Sequence, residues 1–421
     1  MADPPIFTER HIYRSRGSRP SRRQRRRRLV ALGVVLIAAV LALWGLVNVL
    51  NGGETAGSPG TAARAAPSRA PSAAPSALAA EWSGPPSSGL RLKLRDTIVS
   101  ASISPKSVVS TGTGYVFAQN MMYRHTMTVY DAKTLKLVKT IQDSVDAAAF
   151  RIKGHQGTLR GAPVEAAVTP DGRFMFVSQY SMYGDGFYRE GHDEGSPASG
   201  YDKSYIYRVR LDDLKIDKVI RVGSVPKYVA VTPDQRYVLV SNWTSYSLSV
   251  VDPRRSRQVK EVPIGPYPRG IAVEPDSRYA YVAVMGSSDV ARVDLRSFAV
   301  SWIRGVGAGP RHLCMSPDGK YLYVTCNAAG TVVKVELRTR RVTDRVATGV
   351  HPRSMALAPD GRSLYVVNYD SNTMSKVRTG DMKVLQIVAT NSRPIGVTYD
   401  LPTKSVWVCC YTGSIMVFRE R

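Results

Sequence analysis

The chain is predicted to fold as an all-β, seven-bladed β-propeller closed by an N-terminal strand, and three observations lead there. Pro226, Pro268, Pro310, Pro352 and Pro394 recur every 42 residues, in step with Val240, Val282, Val324, Val366 and Val408. Each unit runs in one order: proline, apolar run, Pro-Asp turn, second apolar run, polar gap, third apolar run ending in a charge. PKYVAVTPDQRYVLVSN and PRHLCMSPDGKYLYVTC show the pattern. A repeat of about 40–45 residues holding four short strands is a propeller blade. The last unit also stops one strand short at Arg421, while the N-terminal end of the repeat region has a strand to spare.

In chain order, residues 1–28 hold ten arginines against Asp3 and Glu9 and end in Arg25-Arg26-Arg27-Arg28. Ser21-Arg22-Arg23-Gln24 resembles a twin-arginine export signal, but Arg25 and Arg26 stand where apolar residues belong. Residues 29–50 carry no charge, and 22 residues at helical rise cross a bilayer core. A cleaved leader has a shorter apolar stretch. The expected arrangement is therefore one transmembrane signal anchor, with the basic tail cytoplasmic and the remainder extracytoplasmic. The arginines beside an apolar span set topology, and no nucleic-acid partner is expected. Residues 51–89 are rich in Gly, Ala, Pro and Ser, which cannot bury enough surface to offset chain entropy; they read as a disordered linker.

The propeller occupies 90–421. The unit at Pro163 is 63 residues long, and its 21 extra residues fall in 182–203. The unit opening at Pro105 is 58 residues long, with 16 extra residues in 143–162. Counting from Pro105 gives seven units. Asp96-Thr97-Ile98-Val99 precedes Pro105 as Asp217-Lys218-Val219-Ile220 precedes Pro226, so the strand near residue 97 should complete the last blade.

Tyr281-Val282, Leu322-Tyr323-Val324-Thr325 and Leu364-Tyr365-Val366-Val367-Asn368, each after a Pro-Asp turn, resemble the YVTN-type repeat of lactonase-like and surface-layer-type seven-bladed propellers. The resemblance covers roughly 92–421. It lapses at Val284, Cys326 and Cys410, where the motif's Asn is absent. It implies a propeller of the cell envelope, in a family that includes binding proteins, hydrolases, lyases and redox subunits.

Both enlarged loops belong to the rim that also carries the opening prolines, which places function there. Lys106, Lys227, Arg269, Arg311 and Arg353 follow opening prolines, and Arg393 flanks the last. Such a ring favours a carboxylate or phosphate, whereas splayed solvated side chains are the plain alternative. Tyr180, Trp243, Tyr369 and Tyr411 occupy equivalent places at the ends of second strands, as ligand-stacking surfaces or as packing between blades. The function expected is a binding or scaffold module for an anionic or glycan-like envelope component, or a partner protein. The alternative, a lactonase-like hydrolase or lyase in the same mouth, has Glu165 and His312 as candidate acid or base; no Ser/His/Asp set is visible. His125, His155, His192, His312 and His351 lie in different units without ligand spacing, so neither metal nor cofactor is expected. Cys314 and Cys326 fall on one hairpin, which allows a cross-strand disulfide, although buried small hydrophobes are the preferred reading; the adjacent Cys409 and Cys410 point to opposite faces if they lie in a strand.

Overall fold

The computed structural model describes residues 82–421. The basic tail 1–28, the apolar run 29–50 and the linker up to residue 81 lie outside the described residues. Among the described residues no helix is long and apolar enough to cross a membrane.

Seven four-stranded antiparallel sheets stand around a common axis. The innermost strands are Ser107–Ser110, Pro163–Val168, Pro226–Val231, Pro268–Val273, Pro310–Met315, Pro352–Leu357 and Pro394–Asp400. Each packs against the next and the last against the first, so the ring is closed. Why these segments form strands is plain from composition. They alternate β-branched and aromatic residues between turns built on Pro, Asp and Gly. In three of the five Pro-Asp turns the hydroxyl residue before the proline (Thr169, Thr232 or Ser316) supplies the brace. The Thr232 hydroxyl donates to Asp234 Oδ1 at 2.6 Å, and the Asp234 carboxylate accepts from the backbone N–H of Arg236 at 3.0 Å.

The core is a set of layers between blades. Leu239 and Val250 of the third blade meet Ile271 and Val282 of the fourth; Tyr281 and Ala283 of the fourth meet Leu322 and Val324 of the fifth. Every blade therefore buries both faces, and removing one side chain opens a gap shared by two blades.

The last sheet is completed from the N-terminal side. Leu92–Val99 runs antiparallel to Ser414–Glu420, from Leu92 opposite Glu420 to Val99 opposite Ser414, with a bulge at Arg95. The matching outer strand Lys215–Arg221 also bulges, at Asp217, one position later in the sequence correspondence. The folded body starts earlier than the composition suggested. Residues 82–89, assigned to the linker, are docked: Ser87 donates through its backbone N–H and its hydroxyl to the Asp360 carboxylate at 2.8 and 2.7 Å.

The enlargements lie together. Residues 143–162 carry a small hairpin, Ser144–Asp146 with Thr158–Arg160. Arg160 bridges to Tyr183 of the second enlargement. Val145, Ile152 and Leu159 share a cluster with Met182 and Phe187. All four cysteines are free thiols, and Cys314 lies opposite Tyr323, not Cys326. The cross-strand disulfide is excluded by register.

Candidate functional site at the channel mouth

The position after each opening proline lies at the insertion-bearing end of the innermost strand. Five of these positions deliver cations, and a closed ring points them at one small volume. Lys106, Lys227, Arg269 and Arg311 are nearly fully buried and Arg353 half-buried. Burial, then the positive charges of Arg269, Lys227, Arg353 and Arg311, hold the Lys106 ammonium well below the ordinary lysine range. Side chains splayed into water would not sense one another in this way. The other two positions are Val164 and Ile395, both buried. Arg393 sits one step earlier, in the left-handed region at φ 58°, half-buried, its backbone N–H donating to Asn372 Oδ1.

The aromatic column belongs to the same construction. Lys227 Nζ lies 4.5 Å from the Tyr180 ring centroid and 5.3 Å from that of Trp243. Arg353 covers Tyr369 at 3.8 Å and Lys106 approaches Tyr411 at 5.6 Å. In the fourth blade the column carries Met285, whose sulfur accepts from Arg311 Nη1 at 3.5 Å. These rings act as neighbours of the cations, each such contact contributing about 0.5–2 kcal/mol with desolvation.

Two carboxylates reach this volume among the described residues. Asp193, carried in by the second enlargement, accepts from Lys227 Nζ at 2.6 Å and from the Tyr180 hydroxyl at 3.0 Å. Glu165 lies deeper, its Oε1 3.9 Å from Arg269 Nη2. Burial pushes the Glu165 carboxyl up, against the opposing pull of Arg269, Lys106 and Arg311.

Glu165 and His312 occupy one register, two residues after their prolines, and Tyr228 shares it. Gly270 occupies the same register between Tyr228 and His312 and presents no side chain. Across it, the Tyr228 hydroxyl reaches His312 Nε2 at 3.0 Å, two blades away. A Cβ on Gly270 would meet the Arg311 carbonyl at 2.8 Å, so this close approach requires glycine. Burial, with Arg269 and Arg311 nearby, lowers His312 to about 3, so its ring is neutral at physiological pH. His312 Nδ1 is buried without a hydrogen-bond partner. Burial first, then the Glu165 charge, raises the Tyr228 phenol. The sequence reading named Glu165 and His312 singly; reading the whole register down the repeats would have added Tyr228.

The remaining histidines are dispersed. His125 Nδ1 bonds the Gly161 carbonyl at 2.6 Å, His155 stacks on Phe187 at 4.1 Å, and His351 pairs with Asp370. Among the described residues no group of three or more His, Cys, Asp and Glu side chains is placed to hold a metal ion.

Chemically, the mouth is a desolvated cationic bowl lined by aromatic faces, with a Glu/Tyr/His layer beneath. No protein-family description and no curated protein sequence matches this chain. Among solved structures it resembles a chain titled Kuenenia stuttgartiensis hydrazine synthase, at 19% identity and a TM-score of 0.60, over 76% of this chain and 97% of that one. At that identity the likeness shows the propeller fold alone.

Proposed function

We propose that this protein is a membrane-anchored, extracytoplasmic binding module that holds an anionic ligand, carboxylate- or phosphate-bearing, in the channel mouth on its insertion-bearing rim. The observation that carries the reading is the convergence of Lys106, Lys227, Arg269, Arg311 and Arg353 from five blades into one buried volume. Gathering like charges in a desolvated place is costly, and a bound anion offsets that cost. The uncharged run 29–50 behind an arginine cluster supports anchoring with the propeller outside the membrane. The test replaces Arg269, Arg311 and Arg353 together with Ser and measures retention on anionic envelope polymers at low and moderate salt. The triple variant is expected to lose retention while keeping its circular dichroism spectrum. Unchanged retention counts against the site.

One observation favours a second reading, a hydrolase or lyase acting in the same channel. Glu165 and His312 are driven in opposite directions from their ordinary pKa values within one layer, with Tyr228 and Arg269 beside them. Opposed shifts of this kind separate acid from base roles. A turnover assay on lactones and uronate-containing oligosaccharides, comparing the wild type with Glu165→Gln, decides it. Activity abolished by that change supports catalysis, and absence of turnover in the wild type removes this reading.

A further inference from the structure

Asp193 is delivered to the cationic mouth from outside the repeat. It belongs to the segment Gly191-His192-Asp193-Glu194-Gly195, which has no counterpart in the other blades. Its carboxylate takes the Lys227 ammonium and the Tyr180 hydroxyl, while its main-chain carbonyl accepts from Trp243 Nε1 at 2.8 Å. Glycines bracket the segment, Gly191 where it presses on the third blade and Gly195 where the enlargement folds on itself. A Cβ on Gly191 would fall 2.1 Å from Val225 Cγ2, and one on Gly195 would fall 2.0 Å from the Tyr201 ring. The segment is thus shaped to bring one carboxylate to this place.

From this geometry we infer that Asp193 is a built-in stand-in for the ligand: the mouth takes a carboxylate, and an incoming carboxylate displaces Asp193 from Lys227 and Tyr180. The inference rests on the anion-binding reading and deepens it by naming the ligand's chemical class and the contact that restrains binding. An internal group competing for the same seat lowers apparent affinity by the fraction of molecules in which the seat is vacated. The mouth is then held shut against weak anions, and only a ligand with several carboxylates, or one carboxylate with further contacts, opens it. The Trp243 indole, hydrogen-bonded to the displaced segment, reports the movement.

The experiment titrates the full-length protein in detergent with citrate and, separately, with inorganic phosphate, by calorimetry and tryptophan fluorescence. Wild type, Asp193→Asn, Glu194→Gln and the Arg269/Arg311/Arg353→Ser triple variant are compared. Asp193→Asn is expected to bind citrate about 10-fold tighter or more than the wild type, and to bind citrate more tightly than phosphate. Glu194→Gln, which removes an exposed neighbouring charge, should change little, and citrate should alter wild-type fluorescence in a way that Trp243→Phe abolishes. An equal gain in Glu194→Gln overturns the inference, since general charge would then explain the effect. Phosphate bound by Asp193→Asn as tightly as citrate overturns the assignment to carboxylates. Citrate binding that is unaffected by Asp193→Asn but lost in the triple variant overturns the stand-in and leaves the anion site standing. No binding in either the wild type or Asp193→Asn overturns both.

Discussion

Asn242 shows what the repeat's asparagine is for in the blades that keep it. Its side-chain carbonyl accepts from the Gly223 N–H at 3.2 Å, and its amide donates to the Ser247 and Ser249 hydroxyls at 3.1 and 2.9 Å. One side chain therefore ties the loop between blades to the second and third strands. Asn368 does the same through Thr348, Thr373 and Ser375. Asn242→Ala is expected to cost about 1–3 kcal/mol, because a buried N–H and two hydroxyls lose a partner; the urea midpoint measures it. Val284→Ala in the equivalent position forfeits only apolar contact. At that register the second blade carries Gln179, packed against Asp143, and here the repeat is broken rather than varied. Asp143 stands where other loops place Val222, Ile264 and Val306, with the same backbone bond to the residue before the third strand. The Asp143 carboxyl oxygens and the Gln179 amide atoms are buried against each other without well-formed hydrogen-bond geometry. Burial raises the Asp143 pKa well above the usual carboxylate range, against the pull of Arg160. The folded state then binds more protons than the unfolded one, so stability present at acid pH is lost as pH rises from about 4 through the folded pKa. Asp143→Val is expected to raise stability by about 1–3 kcal/mol at neutral pH and to flatten that decline, read as melting temperature against pH.

Among the elements, the closing strand has most to do with holding the ring, and a buried clasp pins it. Lys376 Nζ of the sixth blade donates to the Ser87 and Leu90 carbonyls at 2.6 and 2.9 Å and pairs with Glu420 Oε1 at 2.5 Å. Both side chains are wholly buried, and the Tyr365 hydroxyl donates to the same carboxylate at 2.6 Å. Gln386 adds two bonds to the Leu92 backbone. Lys376→Ala leaves Glu420 buried without its cation and should cost about 3–5 kcal/mol, whereas Lys376→Met with Glu420→Leu should recover much of that. Denaturant unfolding of the two variants checks the difference, and an equal loss in both would mean that the pair itself contributes the stability. The strand was legible in the sequence because Asp96–Val99 keeps its offset from Pro105. The clasp was not legible, because it joins residues nearly 290 positions apart and Lys376 sits in a repeat position that carries a cation elsewhere too, at Lys334. The cationic ring was legible for the same reason as the blades: it is a column of the repeat. Asp193 is one acid of an insertion, and nothing in the sequence singles it out. A segment that occurs once has no column to fix its place, and its approach to Lys227 depends on how two enlargements pack on each other.

At the scale of the whole molecule, charge is divided along the chain rather than spread over it. Of the net charge of +25, +8 lies in residues 1–28, none in 51–89, and +17 in the remaining repeat region. The two basic parts serve different ends in the proposed arrangement. The first fixes orientation, because lysines and arginines next to an apolar span stay on the cytoplasmic side. The second supplies the mouth and the field around it, which draws anions toward the rim at low salt and is screened beyond about 8 Å at physiological ionic strength. Topology can therefore be altered without touching the site. Replacing Arg22, Arg23 and Arg25 through Arg28 with Ala should leave the protein in the membrane fraction after an alkaline wash, since the apolar run is intact. It should also lower the fraction of molecules cleaved in the 51–81 segment by protease added outside intact cells, as orientation becomes mixed. The wild type should be cleaved there nearly completely and release a fragment that still binds anions through the ring. Recovery of the wild-type protein in the soluble fraction, or full protection of that segment, would place the propeller elsewhere and detach the mouth from any envelope ligand.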